Sequence, residues 1–352
     1  METNNMGYQF GKYWFLEDQE RLRIYRETAA HGDLTSIKEL AYILRTEGRT
    51  PQDLSESFKW SLRAASFNDI ESLLVVGDMF RQGVGTDKAP VKAIEYYKKV
   101  VRHHRSNNTN VKAAVNKIAY AFEHDLNDGK QAIKWLIKSV RLGDNNAKLR
   151  IAKIYCNGNG INPSGEKAIE WFTKILNDKS LPKCERNSVA FEIAEIFYEG
   201  KIIQRNEQEA IKYFKIATKA EVVVARAACN KLVQIYSTSE DTTPNIGMTI
   251  HWLKKAAELG SRRATLTIAK IFRDGKFGVN QNGEKALEIL RDSAEQNFDT
   301  ISKVSAMRMI AEMYNKGLAI PEDKQKAAEL YQASNLISSK WIQSINNMQL
   351  QV

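Results

Sequence analysis

The sequence predicts an all-α protein, a right-handed α-solenoid of about eight helix-turn-helix repeats with atypical capping helices at both ends. Three observations lead there. A helix–turn–helix pattern, usually with a glycine in the turn, recurs along residues 33–338, the recurrence keeps a near-constant period, and apolar residues within each copy fall on one helical face. Self-similarity at a period of roughly 20–50 residues is the mark of stacked repeats and outranks any single motif.

The clearest copy is residues 151–172, IAKIYCNGNGINPSGEKAIEWF. A helix ending near Tyr155 meets a turn at Gly158 and Gly160, a polar loop with Pro163 follows, and a second helix opens around Ala168. The same order returns at 77–97, 194–214, 269–289 and 311–331. The small residue opening the second helix is Ser57, Ala93, Ala132, Ala168, Ala210, Thr249, Ala286 and Ala327, at successive spacings of 36, 39, 36, 42, 39, 37 and 41. Such slips belong in loops between helices of fixed length.

Taken in order, residues 1–32 read as an N-terminal cap and partial repeat, with an aromatic cluster (Tyr8, Phe10, Tyr13, Trp14, Phe15) expected to seal that end. Residues 33–338 hold the eight repeats, and 339–352 a C-terminal capping helix, all in one domain. Repeat one weakens its turn to Leu44–Gly48. Repeat two is expected to trail a long tail over 102–110. Repeat three loses both turn glycines, and repeat four is expected to end in a long loop containing Pro182 and Cys184. Repeat six replaces the turn with residues 237–244, while repeats five, seven and eight are regular. In first helices the apolar or small positions recur at i, i+4, i+5 and i+8, as in Ala147, Ile151, Ala152, Tyr155 and Ala264, Ile268, Ala269, Phe272, one face of a helix. Neither helix of a pair can bury its face alone, so the pairs must stack.

Composition narrows the class. Six prolines and 19 glycines leave little room for long disordered linkers, and no run reaches the roughly 18 apolar residues of a membrane helix. Met1–Asn5 lacks the basic start of a secretory signal. Cys156, Cys184 and Cys229 have unrelated spacings that suggest neither a disulfide ladder nor a zinc site, so the expected location is cytoplasmic, where thiols stay reduced. The formal charge is +10, and residues 87–153 concentrate it, with 15 Lys/Arg against 6 Asp/Glu. That basic centre would suit an acidic partner, nucleic acid or a membrane surface, or simply form a solvated face.

The repeats resemble the SEL-one-like repeat, a branch of the tetratricopeptide superfamily. The likeness is carried by Lys167-Ala168-Ile-Glu-Trp171, Lys285-Ala286-Leu-Glu and Trp252-Leu-Lys-Lys-Ala256-Ala257-Glu-Leu-Gly260, and it runs over roughly residues 24–335. The paired cysteines of one branch of that family are absent. The resemblance implies a non-enzymatic scaffold or adaptor that takes a protein or peptide partner on a concave face lined by first helices. An immunity- or inhibitor-type neutraliser of one enzyme or toxin is the alternative. A host-directed effector, or a nucleic-acid binder using the basic centre, is less favoured.

No catalytic constellation stands out. His31, His103, His104, His124 and His251 form no ligand pair at helical spacing, and Gly160–Lys167 echoes a phosphate loop without its lysine position or preceding strand. No cofactor, metal or small-molecule substrate is expected. Taking Tyr155 and its equivalents as buried anchors, the residues two before and one after should face the groove. That rule selects Tyr42, Arg45, Arg81, Tyr120, Lys153, Tyr198, Lys270 and Arg273 as partner-binding residues, with Asp78, Glu123, Cys156, Glu195, Glu312 and Asn315 beside them. Tyrosine and arginine are favoured anchors at interfaces.

Overall fold

The computed structural model describes residues 20–48, 50–103, 107–238, 245–276, 279–295 and 300–349. The aromatic cluster of residues 8–15, His104 and most of the turn of repeat six lie outside them. The described residues are helical, without strands. A helix over residues 20–30 (α1) precedes eight helix pairs. These are α2 (Leu34–Thr46) with α3 (Pro51–Ser66), α4 (Ile70–Gln82) with α5 (Pro90–Arg102), α6 (Asn108–Tyr120) with α7 (Gly129–Arg141), and α8 (Asn145–Asn157) with α9 (Gly165–Leu176). They continue as α10 (Lys183–Glu199) with α11 (Glu207–Ala217), α12 (Val222–Thr238) with α13 (Ile246–Glu258), α14 (Arg262–Asp274) with α15 (Gly283–Glu295), and α16 (Thr300–Lys316) with α17 (Lys324–Gln349). This is the all-α solenoid of helix-turn-helix repeats that the period predicts. The chain forms two compact units, residues 1–171 and 172–352.

Local sequence sets the helix ends. Asp33, Asp69, Asn107, Asp128, Asn206 and Asn245 stand at N-caps, each accepting from a backbone N–H in the first turn. At the other end, α8 stops at Gly158, whose φ of 73° leaves the helix through the left-handed region. Repeat three lacks that glycine and solves the problem differently. Its chain widens into a π turn over Ala121–Asp125, and Asn127 takes the left-handed conformation at φ 48°.

Whatever the turn, one hydrogen bond recurs. The residue just before the second helix donates its backbone N–H to the carbonyl of the aromatic residue near the end of the first helix. The pairs are Ala89 to Phe80, Asp128 to Phe122, Ser164 to Tyr155, Asn206 to Phe197, Asn245 to Tyr236, Asn282 to Phe272 and Asp323 to Tyr314, at 2.7–3.0 Å. Repeats two to eight are thus pinned at the same two points.

Packing follows the small-residue register. Ala93, Ala132, Ala168, Ala210 and Ala286 are wholly buried, and at Ser57 the hydroxyl is used as well, donating to the Ala41 carbonyl at 2.6 Å. In repeat two a Cβ on Gly77 would run into the Tyr97 ring, so a large residue on the second helix demands a minimal one on the first. Phe80 and Tyr314 are buried as the one-face rule expects, but the aromatic anchors of repeats four, five and seven are less so. Tyr155, Phe197 and Phe272 are half-buried, whereas the residues before them, Ile154, Ile196 and Ile271, are buried. At two of these half-buried rings a lysine covers the outer side: Lys167 and Lys285 lay their ammonium groups 5.4 and 5.0 Å from the ring centres of Tyr155 and Phe272. The ring is shared between core and cation.

Three boundaries differ from expectation. Cys184 sits in the first turn of α10 rather than in a loop, because Pro182 holds the N-cap and releases the helix at Lys183. The tail of repeat two is shorter than its sequence suggests, since the Asn107 cap starts α6 at Asn108. The second helix of repeat eight and the expected C-terminal cap run as a single helix, α17. At the other end α1 packs Leu22, Tyr25 and Ala29 onto Ile37, Leu40 and Leu44.

Candidate protein-binding face

Within each unit, outward residues of one first helix meet those of the next repeat's first helix across a seam. In the first unit Lys117 of α6 reaches Asp78 of α4 at 2.7 Å, and the Tyr97 hydroxyl donates to the same carboxylate at 2.7 Å. Burial, reinforced by the Asp78 charge, raises the Tyr97 phenol far above its ordinary value, so it remains a neutral donor. Arg150 of α8 binds Glu123 at 2.7 Å. Arg81 lies 4.9 Å over the Tyr120 ring, whose opposite neighbour is the His124 ring at 4.1 Å. Asp125 stands 3.9 Å from Arg81 and 2.8 Å from Lys88.

The second unit repeats the device. Lys231 of α12 pairs with Glu195 of α10 at 3.0 Å and lies 5.3 Å over the Tyr198 ring, with Arg205 5.4 Å from the same ring. Arg273 of α14 holds Asp274 at 2.6 Å and reaches Glu312 of α16 at 3.2 Å, while Lys316 holds Glu312 at 2.8 Å. Hydrogen bonds from Arg273 outweigh burial and keep Asp274 below the ordinary aspartate range, and those from Lys316 and Arg273 do the same for Glu312. Such half-exposed pairs are each worth about 0–1 kcal/mol, so they set register more than stability.

The eight sequence-selected residues divide accordingly. Arg81, Tyr198 and Arg273 take part in contacts between adjacent first helices. Tyr42 is 53% exposed with Arg45 5.8 Å over its ring, Tyr120 is 42% exposed, and Lys153 and Lys270 project into solvent. The partners Lys117, Arg150 and Lys231 were not legible, because pairings 27–39 residues apart appear only once the stacking is known.

The wider surface offers little chemistry. Among the described residues no group of three or more His, Cys, Asp or Glu side chains is arranged to hold a metal ion. Burial pushes the Cys229 thiol up to about 11, which leaves it protonated and unreactive at neutral pH. No described helix is long and apolar enough to cross a membrane.

A family model for the Sel1 repeat matches eight segments, residues 38–66, 70–100, 113–144, 146–177, 188–221, 226–261, 268–298 and 304–334. The chain belongs to the Sel1 repeat family. Its matched segments include repeats three and six, where the glycine turn is lost, so membership rests on the helix faces rather than the turn. Sel1 repeat proteins generally mediate protein–protein interactions and are typically non-enzymatic scaffolds. Solved structures similar to this Sel1 repeat protein include one from Oxalobacter formigenes, a Sel1 repeat protein at 17% identity, with 92% of this chain and 89% of that one covered and a TM-score of 0.47. Another is c5321, a protective antigen with an SLR fold from uropathogenic Escherichia coli, at 19% identity, 91% and 73% coverage and a TM-score of 0.40. A third is the immunity protein Pa5087 from Pseudomonas aeruginosa, at 14% identity, 64% and 81% coverage and a TM-score of 0.26.

Proposed function

We propose that this Sel1 repeat protein is a non-enzymatic scaffold that binds a protein or peptide along its first helices. The observation that carries the reading is the exposed Tyr42 with Arg45 5.8 Å over its ring, beside which Tyr120 is exposed between Arg81 and the His124 ring. A flat ring backed by a cation presents large contact area at low entropic cost. Tyr42, Arg45, Tyr120, Lys153 and Lys270 make the contacts, and Arg81, Tyr198 and Arg273 support them from the seam.

The test is a pull-down from native lysate, comparing wild type with a Tyr42→Ala/Tyr120→Ala/Lys153→Glu/Lys270→Glu variant, with circular dichroism confirming the fold of both. A partner lost only in the variant supports the reading; equal recovery moves the site off the first helices. One tight partner at fixed stoichiometry would favour a neutraliser, several weaker ones an adaptor.

A second reading has its own observation. On α7 the cations Lys130, Lys134, Lys138 and Arg141 are all exposed and the helix carries no carboxylate, which suits a polyanion. Nucleic-acid affinity held by phosphate contacts falls steeply with salt, with a log–log slope of about −0.9 per contact, so flat salt dependence removes this reading.

A further inference from the structure

One position in the repeat is filled by a large side chain in seven copies and not in the first. Four residues after the small opener of the second helix stand Tyr97, Leu136, Phe172, Phe214, Leu253, Leu290 and Tyr331, and all but the half-buried Tyr331 are at most 3% exposed. In repeat one the same position is Ser61. Over that position, between α2, α3 and α4, lies a cleft of about 340 Å³. Ala41, Ser61, Ala64 and Ser72 form small parts of its lining, and Lys38, Tyr42, Arg45 and Glu71 stand around it. Ser61 is 2% exposed, and its hydroxyl has no hydrogen-bond partner within the protein, unlike Ser57 one turn earlier. A buried hydroxyl left this way is costly, and a guest that bonds it recovers the loss.

We propose that this cleft is a socket for one tyrosine side chain of a partner polypeptide. The inference rests on the scaffold reading and names its anchor point. The shape argument comes from the sister repeats, where the equivalent slot holds aromatic or leucine side chains. The polarity argument comes from Ser61. In repeat two the slot is filled from below, and the Tyr97 hydroxyl points up to Asp78. A guest ring entering repeat one from the first-helix side has the reverse sense, its ring edge beside Tyr42 and its phenol on the Ser61 hydroxyl, which is closed to solvent and must turn toward the cleft to meet it. The lining carries two cations, Lys38 and Arg45, and two carboxylates, Glu39 and Glu71, with Lys38 bound to Glu71 at 2.7 Å, a balance that fits an uncharged side chain.

The probe is p-cresol, the tyrosine side chain alone, with toluene as its apolar counterpart. Both are titrated into the full chain carrying ¹³C-methyl alanine, so that Ala41 and Ala64 report occupancy. The expected result is saturable p-cresol binding in the millimolar range at those two methyls, about tenfold tighter than toluene. Ser61→Leu reproduces the leucine-over-alanine pairing of Leu136 with Ala119; it should keep or raise the melting temperature and abolish the shifts. Ser61→Ala leaves the space and should reduce p-cresol to the affinity of toluene. Absence of shifts at saturating probe, equal shifts in Ser61→Leu, or toluene binding as well as p-cresol would overturn the socket. So would p-cresol binding that emerges only when residues 1–19 are removed, which would make the chain's own Tyr8 or Tyr13 the guest. None of these outcomes depends on the pull-down, so the socket and the scaffold reading fail separately.

Discussion

Repeats three and four join the same two helices by different means. Repeat four leaves α8 through Gly158 and crosses a seven-residue loop, residues 158–164, whereas repeat three widens into a π turn and borrows the left-handed tolerance of Asn127. Both arrive at the same place: Asp128 bonds the Phe122 carbonyl at 2.7 Å, Ser164 bonds the Tyr155 carbonyl at 2.8 Å, and Ala132 and Ala168 are equally and wholly buried. The repeat is therefore defined by its end points, and the turn is free to vary provided one residue can turn left-handed.

The sharpest way to break that equivalence is to attack the shared point. Ala132→Glu and Ala168→Glu each bury an unpaired carboxylate and should cost similar amounts, about 3–5 kcal/mol, read as loss of the cooperative transition in urea melts. If only Ala168→Glu is severe, repeat three is looser than its burial implies.

A smaller effect lies where the two repeats touch. Asp144 caps α8 from repeat four while accepting from Asn116 at 2.6 Å and Ser139 at 2.9 Å in repeat three. Burial pushes its carboxyl up, but these hydrogen bonds outweigh it and hold the group below the ordinary aspartate range. The native carboxyl thus takes its proton at lower pH than the unfolded one. Its contribution is whole above about pH 4 and disappears as the pH falls through the native value. Asp144→Ala should cost about 1–2 kcal/mol at pH 7, and chemical denaturation at pH 7 and pH 2.5 should find the gap from wild type narrowed in acid. A gap independent of pH would mean that the cap works without its charge.

The mildest test concerns the turns themselves. Gly158→Ala forces a Cβ into the left-handed region and to 2.9 Å from Pro163 Cδ, and should cost about 1–2 kcal/mol, while Asn127→Gly should gain about a few tenths of a kcal/mol. Thermal melts that show no loss for Gly158→Ala would remove the left-handed requirement.

Much of this was legible before the structure. The register of small residues gave the repeats, and Ala93, Ala132, Ala168, Ala210 and Ala286 are buried as expected because a helix pair cannot close over a larger residue there. The anchor was misplaced by one residue, onto Tyr155 instead of Ile154. Hydrophobicity alone cannot reveal that the lysine before Ala168 covers the outer face of the ring. Loop lengths misled around Cys184, since a proline reads as a break although it also caps a helix. The binding face was legible only as a list of outward positions. Which of them are occupied by neighbours depends on pairings such as Arg273 with Glu312, 39 residues apart. The Ser61 cleft had a signal, one small residue in a column of seven large ones, that becomes meaningful only when the column is seen to be core.

The recurring N–H to aromatic-carbonyl bond has a use beyond architecture. Each of Ala89, Asp128, Ser164, Asn206, Asn245, Asn282 and Asp323 ties its amide to the other helix of its own repeat. Exchange of that hydrogen with deuterated solvent requires the two helices of that pair to part, whatever neighbouring pairs are doing. Seven amides spread along the chain therefore act as separate clocks, one for each of repeats two to eight. A ligand clamping any single pair would slow its clock and leave distant ones running.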